Sequence, residues 1–370
     1  MSLSASVVVP SYNSARFLGP TLESALAQSC DDFEVLVVDD GSTDDSCEVA
    51  RRYDRVRLLE QSHLGSSAAR NLAVREARSP VIAFLDSDDL WHRDHLETLL
   101  RLMRQDPDVI GATSGMELLT ADGTPTGQRW VFGGEDLLLA SRKGCPFLTS
   151  VTAVRRDAML LEPFDESLST ANDWELWLRL LLRGRFALAG RATAGYRRHG
   201  GAISMDGPTR ARNRRRIVAK HAGQPWAHEL AAYMELHDVR EAFAAGRTRD
   251  AEEGLARAAR HYPDLTADLQ WWPFFESFRP HDHPEASSRS RFWQAVGAYA
   301  RVCGSRALPF RGDQRRRSIA SGLEAAAHYA HIARLRPEAL GFRVLARLAR
   351  AGLRRRPAPP SGSGTGLSER

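Results

Sequence analysis

The sequence predicts an α/β fold, a Rossmann-like and mostly parallel sheet flanked by helices, followed by an all-α C-terminal region. Three observations predict it. Short buried-type runs alternate with helix-period segments through the first 85 residues, the pattern that builds right-handed βαβ units. Each run stops abruptly at polar turn residues. Beyond about residue 205 the chain changes to alanine- and arginine-rich stretches with helical periodicity.

The elements follow in order. Ser6-Val7-Val8-Val9 is β-branched and ends at Pro10-Ser11-Tyr12-Asn13, where proline and asparagine open a turn. Phe17, Leu18, Leu22, Ala25 and Leu26 recur at helical spacing. A second strand, Phe33 to Val38, ends at Asp39-Asp40-Gly41-Ser42-Thr43-Asp44. Gly41 permits a tight turn there, and Ser42 or Thr43 is placed to cap a helix running through Val49. Val56 to Leu59 reads as a third strand and Gly65 to Ala73 as a helix start.

Val81-Ile82-Ala83-Phe84-Leu85 is a fourth strand that runs into Asp86-Ser87-Asp88-Asp89. Clustered carboxylates raise one another's pKa, a cost normally offset by a cation or by ligand hydrogen bonds. Magnesium or manganese held by one or two carboxylates and substrate phosphates suits Asp86 and Asp88. For Asp89 the preferred reading is a cap on an amphipathic helix from Leu90 to about Met103. Ligands of parallel sheets gather beyond the carboxyl ends of the strands, where Tyr12, Asp39, Asp40, Asp86 and Asp88 all fall.

Bulk composition narrows the class. The 370 residues suffice for two domains, and 43% hydrophobic with 26% charged residues describes a soluble globular chain. The net charge of +5 divides into −7 over residues 1–200 and +12 over residues 201–370. An acidic half suits a cation, and a basic half suits an anionic surface. Cys30, Cys47, Cys145 and Cys303 show neither zinc spacing nor a disulfide framework, so idle thiols in a reducing compartment are expected. With no leader-like start and no apolar span of about 20 residues, the expected location is cytoplasmic, with peripheral attachment to the inner face of the membrane as an extension. No Gly-x-Gly-x-x-Gly turn or Gly-Lys-Ser/Thr loop occurs, which turns the reading away from dinucleotide oxidoreductases and phosphate-loop NTPases.

Four segments then carry a resemblance. Val7 to Asn13, Val37 to Asp44, Ala69-Arg70-Asn71 and Phe84 to Asp89 resemble the successive motifs of family 2 glycosyltransferases, the inverting family with the GT-A fold. The resemblance covers about the first 200 residues. It implies a nucleotide-diphosphate sugar as donor and Mn2+ or Mg2+ as cofactor. It places Pro10, Tyr12, Asn13, Asp39 and Asp40 around the base and ribose, with Asp40 accepting a hydrogen bond from the base. Arg70 falls near the base or diphosphate, Asp86 and Ser87 on the ribose side, and Asp88 at the metal. A guanidinium at a helix start favours an anion in any case.

Further on, Gly111 to Trp130 reads as two strands joined at Ala121-Asp122-Gly123, residues 133–148 as a loop near the acceptor, and Thr149 to Val154 as a returning strand. Trp174, Trp177, Leu178 and Leu181 mark one face of a helix whose first turn holds Asp173. This resembles the family's Glu-Asp motif, in which the aspartate is the general base. The usual glutamate is replaced by Asn172 here. Tyr196 to Ser204 resembles the closing segment of the catalytic domain, which implies His199 at the metal or diphosphate. His92, His95 and His281-Asp282-His283 are read as exposed helix and loop residues.

The expected organisation is a catalytic domain over residues 1–205, a basic helical domain over 206–356 and a disordered tail over 357–370. Residues 230–262 read as a simple helical hairpin, because one unit similar to a tetratricopeptide repeat cannot form a solenoid of about three. Trp271-Trp272-Pro273-Phe274-Phe275 suits helix packing. The cationic helices near Ser318 to Ala333 and Leu340 to Arg356 suit a solvated face or shallow docking on an anionic membrane.

The expected function is transfer of a sugar to a glycan, lipid-linked or protein acceptor hydroxyl in envelope glycan synthesis. A non-catalytic sugar-nucleotide-binding or scaffold protein is the alternative, with Asn172 as a sign of site decay. Nucleic-acid binding is disfavoured, since no recognition motif interleaves aromatics with the basic residues.

Overall fold

The computed structural model describes residues 4–131, 136–200, 207–244 and 247–261. Expectations for Trp271 to Phe275, His281 to His283, the last two cationic helices and the tail lie outside these residues. The chain divides into two compact units, Met1–Lys220 and His221–Arg370.

The first unit is built on a nine-stranded sheet. Its elements are β1 (Ala5–Ser11), α1 (Ala15–Leu26), β2 (Phe33–Asp39), α2 (Ser46–Arg51), β3 (Val56–Glu60), α3 (Ser66–Glu76) and β4 (Val81–Phe84). They continue with β5 (Leu90–Trp91), α4 (His95–Gln105), β6 (Val109–Leu119), β7 (Pro125–Trp130), α5 (Leu137–Lys143), a 3-10 turn (Thr149–Val151) and β8 (Thr152–Arg155). Last come α6 (Arg156–Leu161), α7 (Asn172–Arg183), β9 (Arg185–Arg197) and α8 (Gly207–Lys220). Strand order is β3-β2-β1-β4-β8-β6-β9-β5, with β7 paired to β6.

The first four strands are parallel, as the alternation of apolar runs requires, with Val7 opposite both Val35 and Ala83. β1 is buried along its whole length, and β-branched valines fill that central position well. From β8 onward the sheet is mixed, because β8 enters antiparallel between β4 and β6. β9 pairs parallel to β6 and antiparallel to β5.

Four local expectations are corrected. Leu90 and Trp91 form β5 against Gly195 and Ala194, so the helix starts only at His95. Its apolar face of Leu96, Leu99, Leu100 and Met103 is buried as the periodicity requires. Residues 149–151 form a 3-10 turn, and strand begins at Thr152. Part of 133–148 is helical, α5 being capped by Asp136, whose carboxylate accepts from Leu138 N and Leu139 N. Ser42 and Thr43 cap nothing, since α2 begins at Ser46, and Ser42 Oγ instead accepts from Asn13 N.

α8 closes the first unit, where Asn213 Nδ2 donates to Thr170 O and Lys220 pairs with Asp165 and fully buried Glu175. In the second unit, α9 (Ala227–Ala244) and α10 (Thr248–His261) form the helical hairpin, with Arg257 and Glu235 paired at 2.9 Å. Among the described residues no helix is long and apolar enough to cross a membrane.

Candidate active site

The site lies where β1, β2 and β4 end. Pro10 is buried in β1 opposite Val38. Beyond it Tyr12 is 43% exposed and stacks on His63, ring centroids 4.1 Å apart. Asn13, at a positive φ of 48°, accepts from Thr43 N and so binds the first loop to the second.

The two aspartates after β2 differ in what they have left to offer. Asp40 is buried, and three N–H donors converge on its carboxylate. Gln61 Nε2 and Leu64 N donate to Oδ1 and Gly65 N to Oδ2, while His63 Nδ1 lies 3.2 Å from the Asp40 carbonyl oxygen and 3.0 Å from Oδ2. A carboxylate has about four lone-pair sites, so the loop takes three of those of Asp40 and leaves one. Gly41, at φ +76°, allows this, because a Cβ there would lie 3.1 Å from His63 N. Buried Asp39 accepts from Ser42 N on one oxygen, and its Oδ1 has no partner.

The acidic motif divides three ways. Asp86 faces α3: Arg70 Nη2 donates to its Oδ1 at 2.6 Å and Thr149 Oγ1 to its Oδ2 at 2.8 Å. Arg70 is itself buried, with its guanidinium 5.2 Å from the Phe164 ring and its Nε and Nη1 unpartnered. Ser87 Oγ lies 2.8 Å from Ser14 Oγ. Asp88 faces the end of β9, its Oδ2 2.8 Å from His199 Nε2, and the His199 ring lies 4.5 Å from that of Phe17. Burial pushes the Asp88 carboxyl upward and Asp86 adds to the rise, while His199 draws it down.

Asp89 turns into the core instead of capping a helix. Its oxygens take Ser150 Oγ and Arg197 N, and burial, then Asp88 and Asp86, push its carboxyl well above the ordinary range. His95 is another correction: it is fully buried in α4, where its pKa is pulled down to about 3, chiefly by burial. Its Nδ1 lies 2.7 Å from Thr193 Oγ1, which donates to Ser114 Oγ, so Nδ1 carries the proton and Nε2 is left without a partner. His92 sits 2.8 Å from Glu117.

Asp173 opens α7 just after Ala171, which takes a left-handed φ of 57°. Its Oδ1 accepts from Trp174 N, and Cys145 Sγ lies 3.5 Å from its Oδ2. Burial raises its carboxyl above the ordinary aspartate range and Asp86 adds to this. Trp174 N, Arg70 and the Cys145 thiol act the other way. Asn172 is buried and donates to Ser67 Oγ at 2.7 Å, which fastens the start of α7 to the start of α3. Three indoles hold the connecting segment: Trp174 Nε1 donates to Ser141 O, Trp177 Nε1 to Phe147 O and Trp91 Nε1 to Ser150 O.

His63, Phe17, Cys145, Thr149 and Phe164 are contacts to which the sequence assigned no role at the site. Phe17 reads there only as part of the apolar run of α1 and Cys145 only as an idle thiol, and tertiary pairing alone brings the five to the site. No group of three or more His, Cys, Asp or Glu side chains is arranged to hold a metal among the described residues. The Asp88 carboxylate and His199 imidazole do fit a cation that takes its other ligands from phosphate oxygens and water.

Comparisons with known proteins agree with this architecture. Residues 6–161 match the model of glycosyl transferase family 2. An uncharacterized glycosyltransferase of Rickettsia felis is 39% identical over 112 residues, 30% of this chain and 19% of that protein. A putative teichuronic acid biosynthesis glycosyltransferase, TuaG of Bacillus subtilis, is 32% identical over 189 residues, 48% of this chain and 72% of that protein. Chondroitin synthase of Escherichia coli is 33% identical over 187 residues, 49% of this chain but 27% of that protein. The chain thus spans about a fifth of the first relative and about a quarter of the third. The crystal structure of S. aureus TarS 1–349 in complex with UDP-GlcNAc has the same fold, with a TM-score of 0.57 at 18% identity, covering 81% of this chain and 90% of that one. The motif order, the sheet and the length of TuaG that is matched lead to one assignment: the chain belongs to glycosyl transferase family 2.

Proposed function

We propose that this chain is a metal-dependent, inverting glycosyltransferase that moves a sugar from a nucleoside-diphosphate sugar to an acceptor hydroxyl in cell-surface or envelope glycan synthesis. One observation carries the reading. Asp173 lies near enough to Arg70 and Asp86 for their charges to act on its carboxyl, which burial chiefly raises, and Arg70 is bonded to Asp86 of the acidic motif at 2.6 Å. The names of TuaG and chondroitin synthase support a polysaccharide setting.

In this reading Pro10, Tyr12 and Asn13 shape the base and ribose end, and unpartnered Asp39 Oδ1 is the acceptor for a donor N–H or O–H. Asp86 holds Arg70, whose two unpartnered nitrogens suit diphosphate oxygens. Asp88 and His199 would hold Mn2+ or Mg2+, which when bound supplies positive charge to a departing diphosphate. Asp173 takes the proton as the acceptor oxygen bonds to the anomeric carbon. The bond from that carbon to the diphosphate oxygen breaks on the opposite face, and its electron pair leaves with the diphosphate.

Thermal-shift screening of nucleotide sugars, starting with the UDP-GlcNAc bound by TarS, tests the first half, since a ligand of the folded state raises the melting point. NMR of the anomeric proton of the product tests inversion. Stabilisation by a donor with neither hydrolysis nor transfer would favour the non-catalytic binding protein.

A further inference from the structure

Cys145 is exposed as a residue, yet its Sγ lies 3.2 Å from Phe147 O and 3.5 Å from Asp173 Oδ2. It also lines a cavity of about 640 Å³ with Asp136, Leu139, Ala140, Lys143 and Gly144, a size suited to a sugar. Asp173 in turn feels the charge of buried Arg70. A thiol has one proton and here two acceptors. A carboxylate attracts that proton more strongly when ionised than when neutral, so the S–H turns to Asp173 when the base is charged and back to Phe147 O when it is not.

We propose that Cys145 is a positioning residue for the base, its S–H holding the ionised Asp173 carboxylate at the edge of the α5 cavity. The inference rests on Asp173 being the base. Burial of the thiol and the neighbouring Asp173 push the Cys145 pKa well up, which keeps the sulfur protonated and able to donate. The backbone N–H of Trp174 already occupies Oδ1, so the thiol settles the orientation of the second oxygen.

The test uses the full chain with UDP-GlcNAc, or the donor found by thermal shift, and follows donor hydrolysis across pH. Losing a hydrogen bond to the charged form moves the acid limb upward by about half a pH unit. Cys145→Ala therefore turns over about threefold more slowly than wild type on that limb, while Cys145→Ser, which restores a donor, moves back toward wild type. A second readout needs no turnover. Iodoacetamide labelling of Cys145, read by peptide mass spectrometry, should be several-fold faster in Asp173→Asn, because the neighbouring charge that suppresses the thiolate is gone. An unmoved acid limb in Cys145→Ala with an inactive Asp173→Asn overturns the role of Cys145 and leaves the base intact. Unchanged labelling overturns it as well. Full turnover by Asp173→Asn overturns the base and this inference together.

Discussion

Asp89 Oδ1 accepts the backbone N–H of Arg197 at 2.9 Å, and its Oδ2 takes Ser150 Oγ at 2.5 Å. One buried carboxyl thereby joins the acidic motif to the end of β9 and to the 3-10 turn. His199, two residues beyond Arg197, owes its place beside Asp88 to this link. Asp89→Ala leaves a buried N–H and a hydroxyl unpaired and should cost about 2–3 kcal/mol, read from the urea midpoint. It should also weaken cation binding, although Asp89 faces away from Asp88. An unchanged midpoint and unchanged cation affinity would show that β9 holds its own position.

Asp88→Asn removes a charge and leaves the fold in place. The expected result is loss of any Mn2+-dependent rise in melting temperature and a fall in turnover of at least about 100-fold. His199→Gln should lose less, since the carboxylate remains. Equal cation responses in Asp88→Asn and wild type would argue that the cation binds elsewhere.

Asp173 supplies a pH signature. Its carboxyl is raised above 3.8 by burial and by Asp86, and a base works only when ionised. Turnover therefore falls as pH drops through the raised value, and the acid limb lies above that of an ordinary aspartate. Asp173→Asn should lower turnover by about 10²–10⁴ with an unchanged melting temperature.

Arg70 combines a 2.6 Å bond to Asp86 with two unpartnered nitrogens, Nε and Nη1. Lysine keeps the charge but not the planar fork. Arg70→Lys should raise the donor KM about tenfold with a smaller change in kcat, and Arg70→Ala should also leave Asp86 without its partner. Steady-state kinetics with varied donor separates the two effects.

His95 predicts acid sensitivity. Its folded pKa of about 3 lies below the unfolded value of 6.5, so the unfolded chain binds a proton that the folded chain refuses. Stability on this account is whole above pH 6.5 and falls toward pH 3, by up to about 1.4 kcal/mol per unit. Asp89 opposes it: its raised pKa means that the folded state holds the extra proton, and its own contribution falls as pH rises from 3.8. His95→Gln should flatten the acid slope of the urea midpoint. A slope equal to wild type would place the sensitivity in other groups.

Much of the fold was legible because apolar runs carry their own periodicity. The four parallel strands and the buried face of α4 needed nothing else. The start of α4 was not legible, because Leu90 and Trp91 pair with β9, with Gly195 lying 105 residues beyond its partner Leu90, a distance periodicity does not span. The acids of Asp86 to Asp89 could be read as a cluster, but not which one turns inward, since that depends on Ser150 and the N–H of Arg197. Likewise, two of the three donors on the Asp40 carboxylate are the backbone N–H groups of Leu64 and Gly65, and backbone donors leave no mark in a sequence.

The indoles of Trp91, Trp174 and Trp177 each end on a carbonyl of the segment from Ser141 to Ser150. Indole emission shifts with the polarity around its N–H, so the protein carries its own optical gauge of that segment. Donor or acceptor entering beside Asp173 can be followed in stopped flow by intrinsic fluorescence, without a label, and Trp→Phe changes at the three positions would tell which part of the wall responds first.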